Sequence, residues 1–163
     1  MSHIVMFCLF VGIGSTIVLD VWVEIVKKVT GIPPTNWGAV GRWVSRIPKG
    51  LLFLDTSDTR DFSSFEKTLG WCFHYIIGVA YAVLLLLLGG VSFIAHPTLM
   101  PIFLIGVCLS SLAGLMILMP CLGGGFFARK VPNPFTIIVY IIIAHILFAL
   151  GQYVFSIMYN VIF

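Results

Sequence analysis

Four stretches of this chain, 4–26, 69–95, 98–122 and 135–163, are apolar over lengths that a water-soluble domain of this size has no interior to bury. A bilayer core of about 30 Å takes roughly 20 such residues as a helix, because in hydrocarbon every backbone N–H and C=O must be satisfied within the segment. The 60 % apolar and 9 % charged residues agree with that solvent. The expected fold is all-α: an integral membrane four-helix bundle, 1–163 forming a single transmembrane domain with a cytoplasmic loop over 27–68. No Lys or Arg precedes the first stretch and no small-residue cleavage site follows it, so it is expected to stay as a permanent span rather than leave as a signal peptide.

Charge orients the spans. All nine basic residues, Lys27, Lys28, Arg42, Arg46, Lys49, Arg60, Lys67, Arg129 and Lys130, lie between spans 1 and 2 or between spans 3 and 4. With an even number of spans these loops share one side, and positive loops stay cytoplasmic. Both termini and the His96-Pro97 turn are then expected outside, periplasmic for a protein of a bacterial inner membrane. The net charge of +3 is accounted for by topology and anionic headgroups. No basic array with stacking aromatics suggests nucleic acid; the expected partners are the lipid bilayer and a second copy or a larger membrane complex.

Local signals place the remaining elements. Lys27, Lys28 and the run Thr30-Gly31-Ile32-Pro33-Pro34 end span 1. Over 36–47, Trp37, Val40, Val44 and Ile47 recur at helical spacing with Arg42, Ser45 and Arg46 opposite, which predicts a short amphipathic interfacial helix between spans 1 and 2. The polar stretch 55–64 reads as a solvated loop. Ser63 with Glu66 forms a capping-box pattern, so the second helix is expected to run from Ser64 to Ala95. Gly12, Thr16 and Asp20 on span 1, and Gly106, Ser110 and Gly114 on span 3, make stripes at four-residue spacing, which predicts close contact of spans 1 and 3. Pro120, Gly123-Gly124-Gly125, Pro132 and Pro134 break the chain before span 4.

Ionisable groups inside spans are costly and therefore candidates for function. They are Asp20, Glu24, His74 and His145, at inward depths of about 10 Å for Asp20, roughly 6 Å for His74 and about 16 Å for His145 by helical rise. Gln152 continues a polar stripe from His145, and Arg42 is placed to attract an anionic group from the inner leaflet. Three roles fit these residues. In a small-solute or ion transporter, or a subunit of one, carboxylate and imidazole change charge as a solute binds or leaves. In a metal- or haem-binding redox protein, His74 and His145 would be ligands with Cys72 or Cys121 nearby, although no HxxxH, ExxH or CxxC spacing is present. In a structural or accessory subunit, the carboxylates pair with Lys27, Lys28 or Arg42 and the histidines bond across helices. For Glu24 alone the last is favoured, since Lys28 lies one turn away. Trp22, Trp37, Trp43 and Trp71 read as an aromatic belt. Ser110-Ser111 have no His-Asp constellation, and Gly12-Ile13-Gly14 inside an apolar helix is not a phosphate loop, so catalysis is not expected.

As a set, Gly12-Ile13-Gly14-Ser15-Thr16 leading to Asp20, Gly41-Arg42-Trp43, Gly70-Trp71 with His74-Tyr75 and Gly78, Pro120 with Gly123-Gly124-Gly125, and His145 resemble the bacterial inner-membrane family filed as domain of unknown function 2938. The resemblance covers nearly the whole chain. It implies a bacterial inner-membrane address and four spans, and supplies no substrate, cofactor or site residues.

Overall fold

The computed structural model describes residues 2–163. The chain is an all-α membrane protein of five helices: α1 (Ser2–Thr30), α2 (Trp37–Arg46), α3 (Ser64–Gly89), α4 (Leu99–Cys121) and α5 (Pro134–Ile162). All except α2 are long and apolar enough to cross a bilayer, and no strand occurs among the described residues.

The helix ends follow local chemistry. Gly31 takes a left-handed φ of 75° and its N–H bonds the Lys27 carbonyl at 3.0 Å, closing α1 ahead of the two prolines. Asn36 caps α2 by accepting from the Ala39 N–H at 3.2 Å. The capping box of α3 forms in both directions: Ser63 Oγ accepts from the Glu66 N–H at 3.2 Å, and Glu66 Oε2 accepts from the Ser63 N–H at 2.8 Å. At its other end α3 stops at Gly89, short of the expected Ala95, because Gly90 has φ 72° and the chain tightens into a 3-10 turn at Val91–Phe93. Its length is 26 residues, about 39 Å. Within α4 the backbone widens to π-helical geometry over Phe103–Leu109 and again over Gly114–Leu118. Such widening is rare and concentrates at functional sites. No pattern of apolar residues announces it.

Two compact units can be distinguished. The first comprises the chain up to Pro33, Tyr75–Ser111 and Ile142–Phe163. Phe7, Val11, Ala82, Leu85, Phe93, Ile102, Ile105 and Tyr159 form its core, with Phe7 edge-on to Tyr159 at 5.2 Å. Small residues bring its helices together, in different pairs from those the stripes suggested. The stripe of span 1 meets span 2: a Cβ on Gly12 would stand 2.5 Å from the Val79 Cα, and Gly78 lies against the Thr16 hydroxyl. The stripe of span 3 meets span 4, with Gly106 against Ala149 and Gln152. A stripe tells which face of a helix can be approached closely, but in lipid it does not tell by whom.

The second unit comprises Pro34–His74 and Leu112–Ile141. Here α2 crosses the start of α3 at Gly41 and Gly70, the Trp43 Nε1–H donates to the Leu52 carbonyl at 2.9 Å, and the Leu54 N–H donates to the Cys121 carbonyl at 2.7 Å. The face of α2 turned inward is Gly38, Val40, Gly41, Arg42 and Trp43. Val40 is buried as an apolar position should be, but Arg42 is buried on the same side and Ile47 is exposed, which departs from the expected division of the two faces. Gly41 lets α3 approach closely and Gly38 does the same for Phe62 just before it, and the covered arginine finds its acceptors on that loop and on Glu66.

Candidate functional site

Within the first unit, polar side chains from α1, α3, α4 and α5 turn inward. Asp20 is half-buried, and its Oδ2 accepts a hydrogen bond from the Tyr75 hydroxyl at 2.9 Å, joining α1 to α3. His145, also half-buried, stands with Nδ1 3.1 Å from the Ser111 Oγ, joining α5 to α4. Ser15, Thr16, Ser110 and Ser156 are all buried, and each donates its hydroxyl proton to a carbonyl one turn back on its own helix, at 2.6–2.7 Å. Gln152 is 0 % exposed, and among the described residues neither its Nε2 nor its Oε1 has a hydrogen-bond partner.

Asp20, His145 and Gln152 therefore belong to one unit. Glu24 is exposed at the end of α1 and pairs with Lys27 at 3.5 Å, which suits a side chain reaching for the headgroups. Tyr75 and Ser111 were not singled out from the sequence as partners. They are 55 and 34 residues from Asp20 and His145, and only the helix rotations bring them into reach.

His74 and Arg42 belong to the second unit. The His74 ring stacks on Trp37 at 4.0 Å with an interplanar angle of 27° and meets Trp71 edge-on at 5.9 Å, so two of the expected belt tryptophans form a box around an imidazole. Arg42, 2 % exposed, is enclosed entirely by protein. Its Nε donates to Glu66 Oε1 at 2.8 Å, Nη1 to the Asp58 carbonyl at 3.4 Å, and Nη2 to the Arg60 and Asp61 carbonyls at 2.9 and 2.8 Å. The guanidinium lies 4.2 Å over the Phe62 ring, and Asp58 Oδ1 is 3.7 Å from Nη1. Arg42, expected to attract an anionic group from the inner leaflet, gives its donors to the loop before α3 and to Glu66 in the first turn of α3. The exposed cations left for anionic lipid include Lys27, Lys28, Lys49, Arg129 and Lys130.

Asp58 accepts from Arg60 at 2.7 and 2.8 Å and from Arg46 at 2.7 Å. These bonds, Arg60 first, hold its carboxyl far below the usual carboxylate range, and Ser57 likewise lowers Asp55 through its hydroxyl and N–H. A carboxylate whose pKa is lower folded than unfolded contributes stability that is complete above the unfolded value of about 3.9 and disappears as pH falls through the folded value. The loop 55–64 should thus hold from neutral pH down to about pH 4 and loosen below it. Tryptophan fluorescence of the detergent-solubilised protein during acid titration measures this. Asp58→Asn should lower stability at neutral pH and shrink the acid transition, leaving the part that belongs to Glu66, whose carboxyl Arg42 holds down at about 2; a titration superimposable on that of the wild type would refute the assignment.

The four cysteines, Cys8, Cys72, Cys108 and Cys121, are free thiols. Among the described residues no three His, Cys, Asp or Glu side chains stand together as a metal-binding set, so His74, His145, Cys72 and Cys121 do not assemble one.

The family described as protein of unknown function (DUF2938) matches residues 9–159. No curated protein and no solved structure matches the chain.

Proposed function

The chain belongs to the DUF2938 family, and on that premise we propose that it is a small transporter, or the solute-conducting subunit of one, in a bacterial inner membrane. The observation that carries this reading is the hydrogen bond between Asp20 and Tyr75 across α1 and α3. A carboxylate inside a span is expensive and is retained where it serves a pathway. The Tyr75 phenol donates a hydrogen bond to the carboxylate and fixes its position where α1 meets α3, inside the spans, where a passing solute could meet it. His145 on Ser111 supplies a second titratable station in the same unit. Both termini are read as periplasmic, with the exposed cations after α1 and α4 against the cytoplasmic leaflet. Four spans enclose little interior, which favours a homo-oligomer or a larger complex.

The test is flux into vesicles reconstituted with the purified protein. Protons are followed with an entrapped pH dye, potassium with an entrapped potassium dye, and urea and glycerol by stopped-flow light scattering. At least one probe should move faster than in protein-free vesicles, and both Asp20→Asn and Tyr75→Phe should slow it on the order of tenfold, the equivalent of one strong hydrogen bond, with unchanged gel-filtration profiles. If no probe moves faster than in empty vesicles, the transport reading falls.

A further inference from the structure

We propose that the Gln152 carboxamide is the contact point for a small neutral solute that carries both hydrogen-bond donors and acceptors, of the kind represented by urea and glycerol. The proposal rests on the transport reading and specifies its substrate class.

Gln152 is 0 % exposed and its two polar atoms have no hydrogen-bond partner among the described residues. A buried carboxamide left unsatisfied works against folding, and replacing it with an apolar side chain would relieve the cost, so its presence calls for a use. The group points at small residues: a Cβ on Gly106 would collide with Oε1, and the Ala149 Cβ would be 2.8 Å from that same position. On the neighbouring face of α5, Gly151 brings the backbone of Ser15 within 2.9 Å of where its own Cβ would be. Three helices thus close on this level with almost no side-chain bulk, and Gln152 supplies an amide donor and an amide acceptor.

The lining also fixes the sign and polarity of what could bind. The hydroxyls of Ser15, Ser110 and Ser156, one from each of α1, α4 and α5, have given their protons to their own helices and keep only lone pairs to offer. The helix α4 has no charged residue, and α5 has only His145 as an ionisable group of the acid, base or imidazole kind, seven residues or about 10 Å from Gln152. An anion would be repelled by Asp20, five residues or about 7.5 Å along α1 from Ser15, and a cation would have only that carboxylate, already hydrogen-bonded to Tyr75, to offset its desolvation. A neutral molecule rich in donors matches the hydroxyl lone pairs and Oε1, and needs one acceptor for Nε2.

The experiment compares wild type, Gln152→Leu and Gln152→Met in reconstituted vesicles, with urea and glycerol influx read by light scattering and protons and potassium by entrapped dyes. Urea or glycerol should enter wild-type vesicles faster than protein-free ones, and either substitution should slow that influx about tenfold or more, as expected for the loss of one to two hydrogen bonds. Both variants should melt at or above the wild-type temperature, which a merely structural glutamine would not allow. If protons or potassium move while urea and glycerol do not, or if the variants carry the solutes at the wild-type rate, the Gln152 assignment is overturned and the transport reading stands. If no probe moves, both fall.

Discussion

Arg42→Ala should be the most damaging single substitution in the segment between α1 and α3, lowering the melting temperature in detergent on the order of 10 °C, as the removal of one partner from a buried ion pair does. The cause is what stays behind. The Glu66 carboxylate loses its fork, and the carbonyls of Asp58, Arg60 and Asp61 lose donors in a place where the enclosed side chain admits little water. Arg42→Lys keeps the charge and loses the planar arrangement of donors, so it should fall between wild type and alanine. Arg129→Ala, at an exposed cation, should leave melting unchanged. Because the Arg42 pair is enclosed, raising the salt concentration should shift the wild-type melting temperature little. Thermal melting followed by intrinsic fluorescence, with gel filtration as a check, decides the matter. An Arg42→Ala protein melting with the wild type would mean that the loop is held by something else.

Arg42 also marks where reading the chain by pattern reaches its limit. The four spans, the end of α1 at Gly31 and the capping box at Ser63 and Glu66 depend on neighbours within a few residues, and all are legible. The burial of Arg42 depends on acceptors 16 to 24 residues further along, and on Gly38 and Gly41 turning its face toward them. A periodicity argument assigns a charged residue to the wet side of a helix, and here the chain carries the wet side inward with it. The same limit applies to the site. Asp20, His145 and Gln152 stand out as polar groups in apolar segments, but Tyr75 and Ser111 are identified only when helix rotations are known. For helices apolar on every face, lipid gives no preference that would fix those rotations. The two π-helical stretches of α4 and the stop of α3 at Gly89 are likewise consequences of packing and backbone geometry that the apolar pattern does not encode.

Gly41→Ala and Gly70→Ala should each destabilise the protein by about 3 kcal/mol, the upper end for overpacking, although each adds a single methyl group. A Cβ on Gly41 would land on the Glu66 carbonyl oxygen, 2.7 Å from the carbonyl carbon and 2.8 Å from the Gly70 nitrogen. A Cβ on Gly70 would land on the Trp37 carbonyl oxygen, 3.1 Å from the Gly41 nitrogen. These obstacles are backbone, so no side chain can swing away; α2 as a whole must move off α3. Gly50→Ala separates this clash from backbone strain, because nothing lies within 4 Å of its Cβ position while φ is 77°, and it should cost only about 1–2 kcal/mol for a left-handed residue. Moving α2 away also lengthens the 2.8 Å bond between Arg42 and Glu66, since Arg42 is the next residue after Gly41 and Glu66 is on the helix being pushed. Gly41→Ala should therefore already forfeit part of what Arg42→Ala removes, and the double variant should melt higher than the sum of the two losses implies. Strict additivity would show instead that the glycine crossing and the arginine fork are independent, and that the closeness of α2 to α3 is not what holds Arg42 in place.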